Sequence, residues 1–216
     1  MNRKGLIKTI ALGALALAAA ALLLNSCVAR REKTPLEKIV DKLQKMDSFQ
    51  AEATVKYISN NKTNTYLTSQ TAKSSGEYRI EVLEPVIVAG NITVFDGKII
   101  SQYNKNTGGK ISMGTSESME RFEILLTSFA ANYFSSAEVS VLTANVQGGG
   151  QTVLEAVIPG GHKYLAAEKL WVDNTTLQPL ELIIYGDDGA ERIIVSYKSF
   201  EYDVKLDKGI FSVEGE

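Results

Sequence analysis

The stretch Asn91-Ile92-Thr93-Val94-Phe95-Asp96-Gly97-Lys98-Ile99-Ile100-Ser101-Gln102-Tyr103 sets two runs of β-branched and aromatic residues on either side of an Asp-Gly pair. Asp-Gly supplies the positive backbone angles of a tight two-residue hairpin turn, so antiparallel strands are expected at about 90–95 and 98–103. The same texture, rich in Thr, Val, Tyr and Ile and broken by turn residues, extends in both directions. It predicts strands at about 50–59, 64–73 and 76–84 before the hairpin. After it, strands are expected near 138–147, 151–158, 164–173, 178–186 and 191–206. Gly186-Asp187-Asp188-Gly189 reads as the turn between the last two.

Two helices frame these strands. Thr34-Pro35-Leu36-Glu37 has the form of a capping box with proline at the first helical position, opening a helix that runs to about Asp47. Leu36, Ile39, Val40, Leu43 and Met46 fall on one stripe, with Lys38, Asp41, Lys42 and Lys45 on the other side. A second helix is predicted over 117–135, with Met119, Phe122, Leu125, Leu126, Phe129 and Tyr133 on one face. The order helix, sheet, helix, sheet lacks a regular βαβ alternation. It indicates an α+β domain: a half-open, strongly curved antiparallel sheet or barrel with helices covering its concave face. Periodicity leaves open whether the concavity is filled by the chain's own side chains or receives a ligand.

The first residues differ in kind. Arg3, Lys4 and Lys8 precede an unbroken apolar and glycine run from Ile10 to Leu24, the n-region and h-region of a signal peptide. That run of about 15 residues is shorter than the roughly 20 that cross a bilayer as a helix. Leu24-Asn25-Ser26-Cys27 resembles a bacterial lipobox, in which the cysteine receives diacylglycerol before cleavage. The expected organisation is therefore a lipoprotein signal peptide at 1–26, lipidated Cys27 and a short tether at 27–33, and a single domain at 34–216. Two acyl chains on Cys27 would anchor the protein stably outside the cytoplasm. Cleavage would remove three basic residues and no acidic one, moving the net charge from −2 to −5.

Composition narrows the chemistry. The 23 Lys and Arg against 25 Asp and Glu lack the basic excess of a nucleic-acid binder. One Cys and one His exclude an internal disulfide framework and a metal site built from several Cys and His ligands. His162 follows Pro159-Gly160-Gly161 in an expected loop, and Asp187 and Asp188 occupy a turn that favours Asp for backbone reasons. Gly148-Gly149-Gly150 is not followed by the Lys-Ser or Lys-Thr of a phosphate loop. No catalytic residue, cofactor or metal is expected, and an envelope hydrolase would need carboxylates brought together by the fold.

Binding remains. Tyr78, Ile80, Val82, Phe95, Phe122, Phe129 and Tyr133 are the candidate lining of an apolar cavity, with core filling as the plain alternative. Pro85-Val86-Ile87-Val88-Ala89-Gly90 is unusually apolar between two strands. It reads either as a buried strand continuation or as a cavity-mouth loop in which Val86, Ile87 and Val88 meet an acyl chain or a partner. Exposed strand edges make pairing into a homodimer an expectation as well.

Several segments carry a family likeness. They are the early amphipathic helix ending in Asp47-Ser48-Phe49, the strand Tyr78-Arg79-Ile80-Glu81-Val82-Leu83-Glu84-Pro85, and the hairpin Val94-Phe95-Asp96-Gly97-Lys98. Leu170-Trp171-Val172-Asp173, Pro179-Leu180-Glu181-Leu182 and the closing Gly209-Ile210-Phe211-Ser212-Val213 continue it. In order and spacing, over about residues 34–213, the chain resembles the LolA/LolB family of lipoprotein carriers and receptors, and most of all its GerS type of germination lipoprotein. The resemblance implies a half-open barrel lidded by helices over a cavity that, in soluble carriers, shelters acyl chains. For the GerS type it implies a non-enzymatic partner of a cell-wall amidase, an N-acetylmuramoyl-L-alanine amidase, in spore-cortex modification. Arg79 stands where carriers have a basic residue implied to steer cargo; its plain reading is a surface arginine beside Glu81. The leading expectation is an anchored binding partner in envelope or cortex remodelling, and the alternative is a carrier or receptor for lipid or lipoprotein.

Overall fold

The structure, a computed structural model, describes residues 31–59, 62–114, 122–136, 138–144, 150–207 and 209–213. Two compact units divide the chain, Met1–Thr34 and Pro35–Glu216. Of the first, only 31–34 are described, and they are exposed and without regular structure. Cys27 and the signal segment lie outside the described residues, as do Met119 and Gly148-Gly149.

The second unit opens with helix α1, Pro35–Lys45. Acidic Glu37 lies in its first turn and Lys42 and Lys45 in its last, each favourable to the helix dipole. Its stripe buries Ile39 and Leu43, and Met46 just beyond its end is buried too. The strands that follow are β1 Ser48–Ser59, β2 Lys62–Lys73, β3 Tyr78–Glu84, β4 Ile92–Phe95, β5 Ile99–Asn104 and β6 Gly109–Gly114. Helix α2, Leu126–Ser135, precedes β7 Val139–Ala144, β8 Gln151–His162, β9 Leu165–Asp173, β10 Pro179–Tyr185 and β11 Glu191–Tyr202.

All eleven strands form one antiparallel sheet in the order β6-β5-β4-β3-β2-β1-β11-β10-β9-β8-β7. Two meanders meet at its centre, where β1 pairs with β11 from Phe49↔Tyr202 to Tyr57↔Ile193 with a bulge between Glu52 and Ala53. The sheet is not closed, since β6 and β7 end it on opposite sides. Side chains alternate between faces with period two, so Phe49, Ala51, Ala53 and Val55 of β1 share a face with Tyr78 and Ile80 of β3 and with Leu182, Leu170 and Leu154 farther along. These residues, Ile39, Leu43 and Met46 from the α1 region, and Ile124, Leu125, Leu126 and Phe129 from the α2 region form one buried apolar cluster. A second cluster lies on the opposite face, where Ile92 and Val94 pack with Val213.

Four sequence expectations change. Among the described residues the sheet has eleven strands where about ten were expected, because β6 offers only Gly-Lys-Ile-Ser-Met-Gly, with glycine at both ends and two apolar residues. The second helix, expected from residue 117, is described only from Leu126; Phe122 to Leu125 form a turn whose Leu125 amide bonds the Phe122 carbonyl at 3.0 Å. His162 sits at the end of β8, paired with Leu165, where a loop was expected. The hairpin at Asp96-Gly97 is present but wider than a two-residue turn. Gly97 has φ of +96° while Asp96 does not adopt positive φ, and the Asp96 carboxylate instead accepts the amides of Lys98 and Ile99, both at 2.8 Å.

Candidate functional site

The candidate cavity residues meet beneath the α2 region, but as a packed set. Tyr78 is 1 % exposed, lies 5.6 Å from the Phe122 ring in stacked geometry and 5.7 Å from Phe95. Phe129 stacks on Tyr133 at 5.9 Å. Ile80, Phe95 and Phe129 belong to the main buried cluster and Phe122 and Tyr133 pack against it, whereas Val82 is half-buried near the end of β3. Cavities are seen at the surface: one of about 230 Å³ borders Tyr78, Phe95, Leu125 and Ser128, and one of about 280 Å³ lies between Leu43, Met46, Thr127, Ala131 and Phe134.

A few polar groups are buried among the apolar ones. Gln70 donates from Nε2 to Thr68 Oγ1 at 3.2 Å, and Thr68 donates to the Ala53 carbonyl at 3.1 Å. Asn132 of α2 donates from Nδ2 to Glu168 Oε1 of β9 at 2.9 Å, with Glu168 fully buried. The Tyr78 hydroxyl has no hydrogen-bond partner among the described residues, and burial pushes its phenol up to about 12, with Glu123 adding to the shift. Burial raises Tyr197 and Tyr133 as well. Glu168 was absent from the sequence reading, although the alternation carried a signal: in β9 it occupies the same face as Leu170 and Val172.

The Pro85–Gly90 segment is a loop and not a buried strand continuation. Val86 is 88 % exposed and Ile87 76 %, while Val88 is half-buried. The loop is pinned from both sides. Gly90 donates to the Val82 carbonyl at 2.7 Å and Val88 to the Pro85 carbonyl at 3.0 Å. Asn106, in the turn between β5 and β6, donates from Nδ2 to the Ile87 carbonyl at 2.6 Å. Two aliphatic side chains thus stand in water on a hydrogen-bonded frame, an arrangement that costs solvation and is common where a surface meets another molecule.

Arg79 points away from the candidate cavity. It alternates with Tyr78 and Ile80, donates from NH1 to the Ser212 carbonyl at 3.2 Å and lies 3.6 Å from Glu81. Lys110 Nζ donates to the Val213 carbonyl at 2.6 Å and Lys73 stands 5.0 Å over the Phe211 ring, so three cations from three strands hold residues 211–213 against the sheet. This was not visible in sequence, because nothing local ties the end of the chain to β2, β3 and β6.

Among the described residues no group of three or more His, Cys, Asp or Glu is placed to hold a metal ion, and no helix is long and apolar enough to cross a membrane. Asp187 and Asp188 lie in the turn between β10 and β11, where Asp188 accepts the Ala190 amide at 3.0 Å and Arg192 NH2 at 2.6 Å. The Ala190 hydrogen bond and the Arg192 charge hold the Asp188 carboxyl below its usual range. The arrangement offers packing and hydrogen-bonding surfaces.

No curated protein sequence matches the chain. An uncharacterized conserved protein from Thermus thermophilus shares its fold, with a TM-score of 0.52, 16% identity, and coverage of 82% of this chain and 91% of that one. A chain in the structure of the CwlD amidase from Clostridioides difficile in complex with the GerS lipoprotein is similar at a TM-score of 0.49 and 26% identity, over 80% of this chain and 98% of that one. The LolA superfamily protein NE2245 from Nitrosomonas europaea is similar at a TM-score of 0.44 and 15% identity, over 84% and 98%. The family described as sporulation protein YdcC-like matches residues 7–211, nearly the whole length, and the chain belongs to that family.

Proposed function

We propose that this protein is a membrane-anchored, extracytoplasmic lipoprotein without enzymatic activity, serving as a binding partner in the remodelling of the cell envelope or spore cortex. Membership of a sporulation family over residues 7–211 is the observation that carries the reading. The lipobox at Leu24-Asn25-Ser26-Cys27 supports the anchor, and the order of segments between residues 34 and 213 supports a LolA-like half barrel with helices over its concave face. The same resemblance points to a cell-wall amidase as partner. A pinned loop holding Val86 and Ile87 in water supports a protein contact. The packing of Tyr78, Phe95, Phe122, Phe129 and Tyr133 on one another favours a filled interior over an acyl-chain cavity.

The test is affinity capture of the full chain from sporulating cells, beside a full chain carrying Val86→Ser and Ile87→Ser. The expected result is an amidase retained by the wild type and lost at least about tenfold from the double variant, an effect of roughly 1.4 kcal/mol. Mass spectrometry of the same material reads diacylglycerol on Cys27. An unlipidated Cys27 removes the anchor. Copurified acyl chains with no retained protein would replace this reading with that of a lipid carrier.

A further inference from the structure

Two turns at one end of the sheet are fastened to each other. The β3–β4 loop holds Val86 and Ile87 in water, and the turn between β5 and β6 is tied to it by the Asn106 bond to the Ile87 carbonyl. A second tie runs beside the first, where the Lys105 amide donates to Asn91 Oδ1 at 3.2 Å. The β5–β6 turn is braced within itself as well, since the Thr107 amide donates to Asn104 Oδ1 at 3.2 Å and the Gly109 amide to Thr107 Oγ1 at 3.1 Å. A surface held in this way loses little further freedom when something binds to it. Lys105 completes it. The lysine stem lies across Gly90, which has φ of +79° and where a Cβ would stand 2.3 Å from Lys105 Cδ and 3.3 Å from its Cβ and Cε. Glycine thus serves twice here, turning the chain through a positive φ and leaving room for the lysine. Lys73, Arg79 and Lys110 of the same half of the sheet are engaged with Glu77, Glu81 and the Val213 carbonyl. Lys105 is exposed, and among the described residues it forms no ion pair.

We propose that Val86, Ile87 and Lys105 form one docking surface, and that the protein it receives presents an apolar depression bordered by a carboxylate. The inference rests on the partner reading above and adds the chemistry of the partner's side of the contact. Two aliphatic side chains on a hydrogen-bonded frame match a hollow of fixed shape, and the unanswered cation beside them matches an anion at its rim. A bilayer fits this surface less well, because two aliphatic side chains bury little area among acyl chains and a single lysine adds only one weak attraction to headgroups. The three residues divide the work. A rim charge steers the approach and so acts on the association rate, whereas buried apolar anchors act on dissociation.

The probe is the amidase that the full chain retains from sporulating cells, purified and passed over the full chain in detergent at low and at high salt. Lys105→Glu should slow association by about fivefold or more at low salt and leave dissociation within about twofold of wild type. At high salt the difference should vanish, because screening shortens the reach of the charge. Lys105→Arg should keep the wild-type rates, and both variants should keep the wild-type circular dichroism spectrum. The chain carrying Val86→Ser and Ile87→Ser should instead dissociate faster. An association rate for K105E equal to wild type at low salt, or a slowing that salt does not reduce, would overturn the docking role of Lys105 while the loss in the serine variant keeps the partner reading in place. A wild-type chain that binds no amidase at either salt would overturn both.

Discussion

Asp203 follows β11 with φ of +58°, and its carboxylate accepts Lys42 Nζ at 2.6 Å and the Asp47 amide at 2.9 Å. Burial alone would raise its pKa, but the Lys42 and Asp47 hydrogen bonds and the Lys42 charge hold it below the ordinary aspartate value of 3.8. A carboxyl depressed on folding adds stability that is fully present above the ordinary value and is lost as pH falls through the lower folded one. Asn tolerates the same backbone angle, so Asp203→Asn removes the charge and little else. The expected loss is about 0.5–1 kcal/mol at pH 7, small because both partners are partly exposed. Urea midpoints should show that difference at neutral pH and none near pH 2. Sequence alone could not have shown this clasp, because Lys42 and Asp203 lie 161 residues apart and each looks like an ordinary surface charge. By contrast, Asp96 and Gly97 were legible, since a turn is made by neighbours in sequence, although the carboxylate caps amides there in place of adopting positive φ.

The elements were readable in proportion to their apolar pattern. α1 and the strands β1 and β9 repeat buried residues at the spacing of their own backbone, whereas β6 holds two apolar residues between glycines. α2 was overextended because Phe122 and Leu125 fit a helical stripe, yet they pack from a turn, with Phe122 lying against Tyr78. Helix α2 is joined to the sheet by the Asn132–Glu168 hydrogen bond inside the core. Removing one partner of a fully buried hydrogen bond is costly, so Asn132→Ala should lose about 2 kcal/mol by chemical denaturation. Amide exchange should quicken across α2 more than across α1. Replacing both residues by leucine should recover much of the loss, since the remaining carboxylate and its desolvation go together.

On the scale of the whole molecule, several tyrosines are set into the interior. Burial pushes Tyr57 and Tyr78 up to about 12, and the neighbouring Tyr66 adds to the shift at Tyr57. The folded chain therefore holds these phenolic protons more tightly than the unfolded chain does. Their contribution is intact below the ordinary value of 10 and is lost as pH rises from 10 toward 12. Far-UV circular dichroism against pH should show an alkaline unfolding step in that window, coincident with phenolate absorbance. Tyr78→Phe should reduce the alkaline sensitivity and cost less than about 0.5 kcal/mol at pH 7, because the hydroxyl it removes is buried without a hydrogen-bond partner among the described residues. The first and last strands of the domain are neighbours in the middle of the sheet. Until β11 is available, β1 has only β2 beside it, and the two meanders remain separate ribbons with exposed apolar faces. Because a polypeptide is made from its N-terminus, the central seam can form only once β11 has been added, which leaves the early meander waiting with an open edge and makes joining the two halves the slow, late step of folding.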